Sequence, residues 1–82
     1  MSGAGETAAR VRALLSQVLD VPPERIGADF SQDTATSWSS LNHLMLVSQL
    51  ESEFGVTFSN KEIRDLTSLE RIVATLARRQ VE

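Results

Sequence analysis

An 82-residue chain with no cysteine, 23% charged side chains and a net charge of −3 is one small domain, with neither disulfides nor thiolate metal sites to reinforce it. Residues 31–60 hold Asp33, Glu51 and Glu53 and no Lys or Arg, whereas residues 61–82 are net +1, and an acidic middle disfavours a nucleic-acid surface. No apolar run approaches the roughly 20 residues of a membrane span.

Residues 1–5 are small and polar and are expected to be disordered. The segment from Met1 to Thr7 has neither the basic start nor the apolar run of a secretory signal, so the cytoplasm is the expected location and a single domain over 1–82 the expected organisation. From Glu6 to Leu19 the apolar residues Val11, Leu14, Leu15, Val18 and Leu19 recur with a helical period, which predicts a first helix over 6–19. Asp20-Val21-Pro22-Pro23 stops it, because a residue before proline is pushed out of the α region. A connection from Pro22 to Ser39 follows, long for so small a domain. Ile26 and Phe30 would have to pin it to the core, and Ser31 to Ser37 is rich in Ser, Thr and Asp.

A second helix is predicted over 40–54, opening at Ser39 or Ser40, with Leu44, Val47, Leu50 and Phe54 as its apolar stripe and Gly55 as its stop. Ser59-Asn60-Lys61-Glu62 reads as a capping box for a short helix over 59–65. Thr67-Ser68-Leu69-Glu70 reads as another, opening a helix over 68–79 whose Leu69, Ile72, Val73 and Leu76 fall at i, i+3, i+4 and i+7. Val56-Thr57-Phe58 is β-prone but too short to form a sheet alone. The expected fold class is all-α: a small bundle of three main helices plus one short helix.

The residues around the start of the second helix carry the chemistry. Trp38-Ser39-Ser40-Leu41-Asn42-His43-Leu44 leads into a helix closing on Leu50-Glu51-Ser52-Glu53-Phe54-Gly55, with Phe54 fourteen residues after Ser40. A serine followed by leucine at a helix start, with that ending, resembles the acyl carrier protein family. The resemblance runs from Glu6 to Arg79, with a slightly lengthened stretch before Trp38. It implies that a phosphopantetheinyl transferase attaches 4′-phosphopantetheine to Ser40 and that the arm's thiol carries acyl groups as thioesters. It further implies a monomer without catalysis of its own, presenting cargo to acyl-loading and acyl-processing enzymes.

The residue types suit this role. A hydroxyl in the first turn of a helix is exposed, and the unpaired N–H groups and dipole there favour an incoming phosphate. Taken alone, Ser40 would read as a plain N-cap. The family's Asp before the modified serine, which by resemblance helps engage the transferase, is Ser39 here. A Trp beside the Ser-Leu pair, with His43 close by, looks like freestanding carriers of specialised, polyketide-type pathways. Peptidyl and aminoacyl carriers show Gly-Gly before the serine; residues 34–39 contain no glycine, which favours an acyl cargo. Ser39 leaves a further alternative, a carrier-shaped interaction module that is never modified.

By the same resemblance the second helix and the loop before it form the docking surface: Trp38, Ser39, Leu41, Leu44, Met45, Ser48 and Glu51. That face is strongly acidic in the family, but Asn42, Met45, Ser48, Gln49 and Ser52 leave it nearly neutral here, so apolar contact should outweigh charge steering. Met45 faces solvent as an adaptable contact or as an exposed apolar residue without a role. Trp38 is a lid on the core or a contact to arm, cargo or enzyme. His43 lies at i+3 from Ser40, the spacing of a base beside a nucleophile. No Gly-x-Ser-x-Gly elbow surrounds Ser40, however, and a His facing solvent, a partner or the arm is expected. One His and no Cys make a metal site improbable on chemistry alone. Arg71, Arg78 and Arg79 read as a solvated face and tail.

Overall fold

The computed structural model describes residues 3–27 and 29–80 of the chain, as four helices in the order α1 (Gly3–Leu19), α2 (Ser40–Phe54), α3 (Asn60–Asp65) and α4 (Leu69–Gln80). The all-α bundle of three main helices and one short one is what forms. Helix α1 packs against both α2 and α4, and α3 against α4. Val11, Leu14, Leu15 and Leu19 of α1 meet Leu46, Val47 and Leu50 of α2 and Leu69, Ile72 and Leu76 of α4 in one buried cluster, with Leu66 and Phe58 beneath α3. Each fully buried aliphatic side chain here contributes roughly 1.5–3 kcal/mol. Among the described residues there is no strand, only an isolated antiparallel bridge between Ser31 and Ser68.

Several boundaries differ from expectation. Helix α1 starts at Gly3, so part of the stretch expected to be disordered is helical, while Met1 and Ser2 lie outside the described residues. At its other end Asp20 turns left-handed (φ 57°) ahead of the prolines, and the Val21 amide donates back to the Ser16 carbonyl. Helix α2 ends as its sequence requires: Gly55 is left-handed (φ 66°) and its amide donates to the Glu51 carbonyl. The capping box of α3 forms as expected, with Ser59 and Glu62 satisfying each other's backbone amides. The second box does not form on Thr67. Its carbonyl is already taken by the Gln32 amide, and Ser68, one residue on, caps α4 by accepting from the Arg71 amide at 3.1 Å.

The long connection is not structureless. A 3-10 turn, Pro23–Arg25, lies against α1. Further turns follow, closed by hydrogen bonds from the Phe30 amide to the Gly27 carbonyl, Ala35 to Ser31 and Trp38 to Ala35. Buried Ile26 and half-buried Phe30 pin it as anticipated, and Ala35 and Trp38, also buried, are additional anchors. Phe30 O and Gln32 N bond to Leu69 N and Thr67 O, stitching the connection to the start of α4.

At the far end Arg79 closes on Glu62, donating from Nε at 3.1 Å, and reaches the Thr57 carbonyl at 2.8 Å. The Arg79 hydrogen bond first, then the Ser59 amide, lowers the Glu62 pKa from 4.5 to about 2. A carboxylate held low stabilises the fold above its unfolded pKa and loses that effect as pH falls through the folded one. Glu62→Gln should therefore make the loss of stability shallower between pH 4.5 and about 2. Denaturation midpoints followed by circular dichroism across that range would show it; identical slopes for the two proteins would contradict the assignment.

Candidate functional site

Two adjacent serines open α2, and the structure divides their tasks. Ser39 is the N-cap: its backbone is extended (φ −81°, ψ 174°) and its Oγ accepts from the Asn42 amide at 3.2 Å. Ser40 is the first helical residue, exposed, and its hydroxyl has no hydrogen-bond partner among the described residues. The N-cap reading of Ser40 is thereby removed. With the Asn42 amide capped and the His43 amide bonded to the Ser39 carbonyl, the amides of Ser40 and Leu41 face outward at the positive end of the helix. No acidic residue lies in this first turn to repel an anion.

The line of α2 that faces the core is His43, Leu46, Val47, Leu50 and Phe54, not the stripe running through Leu44. Leu44 is 61% exposed, beside Leu41 at 68% and Met45 at 49%. Together with exposed Ser48 these make an apolar strip on the outward side, beginning one residue after Ser40. Leu41, Leu44, Met45 and Ser48 are thus all presented to solvent.

Ser39 is exposed as well, whereas Trp38 is buried and Glu51 half-buried. Trp38 is only 3% exposed, its ring stacked on Phe30 (5.9 Å) and on His43 (6.1 Å), so it is a lid on the core and offers no surface to a partner. Glu51, one turn beyond Ser48, accepts the Phe58 amide at 2.9 Å. Glu53 is held by Arg10, at 2.7 Å, which also lies over the Phe54 ring. Both carboxylates of α2 are therefore engaged within the chain.

His43, expected to face solvent, a partner or the arm, is half-buried and fully employed within the chain. Trp38 Nε1–H donates to its Nδ1 at 3.0 Å, which places the imidazole proton on Nε2, and that proton is donated to the Ile63 carbonyl at 2.7 Å. Neither ring nitrogen is free to take a proton from Ser40, so the nucleophile–base pairing of a hydrolase is not assembled. The clue was in the sequence: His43 stands at i−4 from Val47, on the core line. Among the described residues no group of three or more His, Cys, Asp or Glu side chains could hold a metal ion. No helix of the described residues is long and apolar enough to cross a membrane.

Ser40 thus stands exposed and unengaged in the first turn of a capped helix that follows a fixed loop. The family model described as "phosphopantetheine attachment site" matches residues 9–76. The chain belongs to this family of carrier proteins, whose members carry covalently attached 4′-phosphopantetheine. No curated protein matches the chain significantly.

Proposed function

We propose that Ser40 is the attachment residue and that the chain is an acyl carrier of a polyketide-type or other specialised pathway. The observation that carries this reading is the free, exposed Ser40 hydroxyl beside a cap already supplied by Ser39. In the loading reaction the Ser40 oxygen displaces the nucleotide part of coenzyme A at phosphorus and loses its proton, and a phosphodiester forms. The outward amides of Ser40 and Leu41 favour the negative charge of that group. Bound there, the arm supplies a thiol that holds acyl groups as thioesters, and the tether raises their effective concentration at each partner's active site. The lack of glycine at residues 34–39 supports an acyl rather than a peptidyl cargo.

Intact mass after incubation with coenzyme A, magnesium and a broad-specificity transferase tests the reading. Gain of one phosphopantetheine supports it. No gain, with the transferase active on a control carrier, points to a dedicated transferase or to the unmodified interaction module that Ser39 allows.

For docking, the surface that fits is the strip Leu41, Leu44, Met45 and Ser48. Since Glu51 and Glu53 are engaged within the chain, partners meet an apolar rather than an acidic face. The kcat/KM for arm transfer should then vary little between roughly 50 and 500 mM salt, over which screening shortens from about 14 to about 4 Å. Leu44→Ser with Met45→Ser should lower it about tenfold or more, because burying one such side chain contributes roughly 1.5–3 kcal/mol. A steep loss with salt in the parent would contradict an apolar docking mode.

A further inference from the structure

The side chain of Asn42 closes a ring of hydrogen bonds around Ser40 that neither the cap nor the docking strip requires. Half-buried, it lies 2.7 Å from the Ser37 carbonyl. A carbonyl only accepts, so the contacting atom is the amide nitrogen Nδ2. The Ser39 amide donates to the same oxygen at 3.0 Å and closes a three-residue turn centred on Trp38. The Ser39 hydroxyl in turn accepts from the Asn42 amide at 3.2 Å. Residues 37, 39 and 42 are thereby tied to one another on both sides of Ser40.

The start of α3 is built differently. There Glu62, third in its helix, accepts the Ser59 amide on its own side chain, completing the capping box. Asn42 is likewise third in α2, but the amide of the capping serine goes to the Ser37 carbonyl, and Asn42 donates to that carbonyl as well. A carboxylate, which only accepts, could not make this bond. The buried Trp38 ring anchors the middle of the turn, yet a buried ring does not fix the direction in which Ser39 and Ser40 leave it. The other side-chain bond to the turn, from Gln32 Nε2 to the Trp38 carbonyl, is 3.5 Å long and correspondingly weak. The course of the chain into Ser40 therefore depends on Asn42.

We propose that Asn42 is a positioning residue for the reaction at Ser40: by holding the Ser37 carbonyl, it keeps the turn and the first helical residue in the arrangement that the transferase meets. The proposal rests on the reading that Ser40 carries the arm. Without the bond, only a fraction of the free chains holds that arrangement, and the apparent KM rises by the reciprocal of the fraction. Once the transferase has bound, the turn is ordered again and transfer runs at the parent's rate.

The test compares the parent chain with Asn42→Ala, using a broad-specificity transferase, saturating coenzyme A and a varied concentration of chain. Alanine leaves the Ser39 cap in place, since that bond uses the backbone of residue 42, and it favours a helix more than asparagine does. KM should rise roughly 2- to 10-fold, the span that loss of one hydrogen bond gives, with kcat unchanged. Amide exchange followed by NMR should quicken at Ser39 by a similar factor and stay unchanged at Ile72 and Leu76, buried in α4. Equal quickening at Ile72 and Leu76 would overturn the proposal, because it marks a general loss of stability. So would a raised KM with Ser39 exchange unaltered, which marks a direct contact between Asn42 and the transferase. If the parent loads and Asn42→Ala loads with the same KM, the attachment reading stands and the positioning role alone is overturned. If the parent takes no arm, the attachment reading fails and the positioning role falls with it.

Discussion

Alanine at Ser40 is expected to abolish arm loading completely, leaving the intact mass unchanged, whereas alanine at Ser39 should lower stability and leave a loadable chain. The contrast follows from the division of labour at the start of α2. Phosphoryl transfer needs an oxygen nucleophile, and no side chain can replace the Ser40 hydroxyl at that position in the first turn. Ser39 is the neighbouring hydroxyl, but it is committed to the Asn42 amide. Losing that cap costs about 0.5–2 kcal/mol. At about 4–8 °C per kcal/mol for a domain of this size, a fall in Tm of several degrees should accompany Ser39→Ala. Ser40→Ala, removing an exposed hydroxyl without a partner, should melt within a degree or two of the parent, so a lost mass gain cannot be attributed to misfolding. Ser39→Asp extends the argument: aspartate caps as well as serine and restores the acidic residue of the carrier pattern, so transfer by a broad-specificity transferase should speed up with no loss of stability. Mass gain surviving in Ser40→Ala and vanishing in Ser39→Ala would move the attachment point to Ser39.

Helix positions and stops were readable because each rests on local chemistry. Gly55 can turn left-handed without strain, Ser59 and Glu62 satisfy each other's amides, and Leu69, Ile72 and Leu76 repeat at the helical period. What misled was the assumption that polarity decides the outward side. The apolar spacing draws Leu44 into one stripe with Val47, Leu50 and Phe54, but it is exposed, as its place in the docking set requires, while His43 is half-buried. The line through Val47, Leu50 and Phe54 continues back to His43, and a histidine can occupy it because both nitrogens find partners there. Those partners, Trp38 and Ile63, come from the preceding loop and from α3, so no local pattern could announce them. The cap shift from Thr67 to Ser68 has the same origin, since Thr67 O is taken by Gln32 from a loop 35 residues away. At the candidate site, Ser40 and the exposure of Leu41 and Met45 could be anticipated from the sequence. The engagement of Glu51 by Phe58 depends on how the segment between α2 and α3 folds back on α2, and the turns of the long connection rest on contacts that no local pattern announces.

The second large effect is expected at Trp38, where alanine should remove about 3–5 kcal/mol, the usual cost of emptying a large aromatic site. A domain of this length has a total stability on the order of 4–12 kcal/mol, so the variant should be close to unfolding at room temperature. The ring fills the space between Phe30, the connecting loop and α2, and its indole N–H fixes the His43 tautomer that in turn holds the α3 carbonyl at Ile63. Volume and hydrogen bond can be separated. Trp38→Phe keeps most of the packing but leaves Nδ1 of His43 without its donor, a loss of about 1–3 kcal/mol for a sequestered unsatisfied group. His43→Phe removes the same bond from the other side and also frees the Ile63 carbonyl. If the relay is one unit, the double variant should be less damaging than the sum of the singles, with a coupling energy of about 0.5–3 kcal/mol. Urea midpoints from far-UV circular dichroism measure all four proteins without relying on tryptophan fluorescence, which two of the variants change. Strict additivity would mean that Trp38 and His43 act independently, and that the loop presenting Ser40 is held by packing alone.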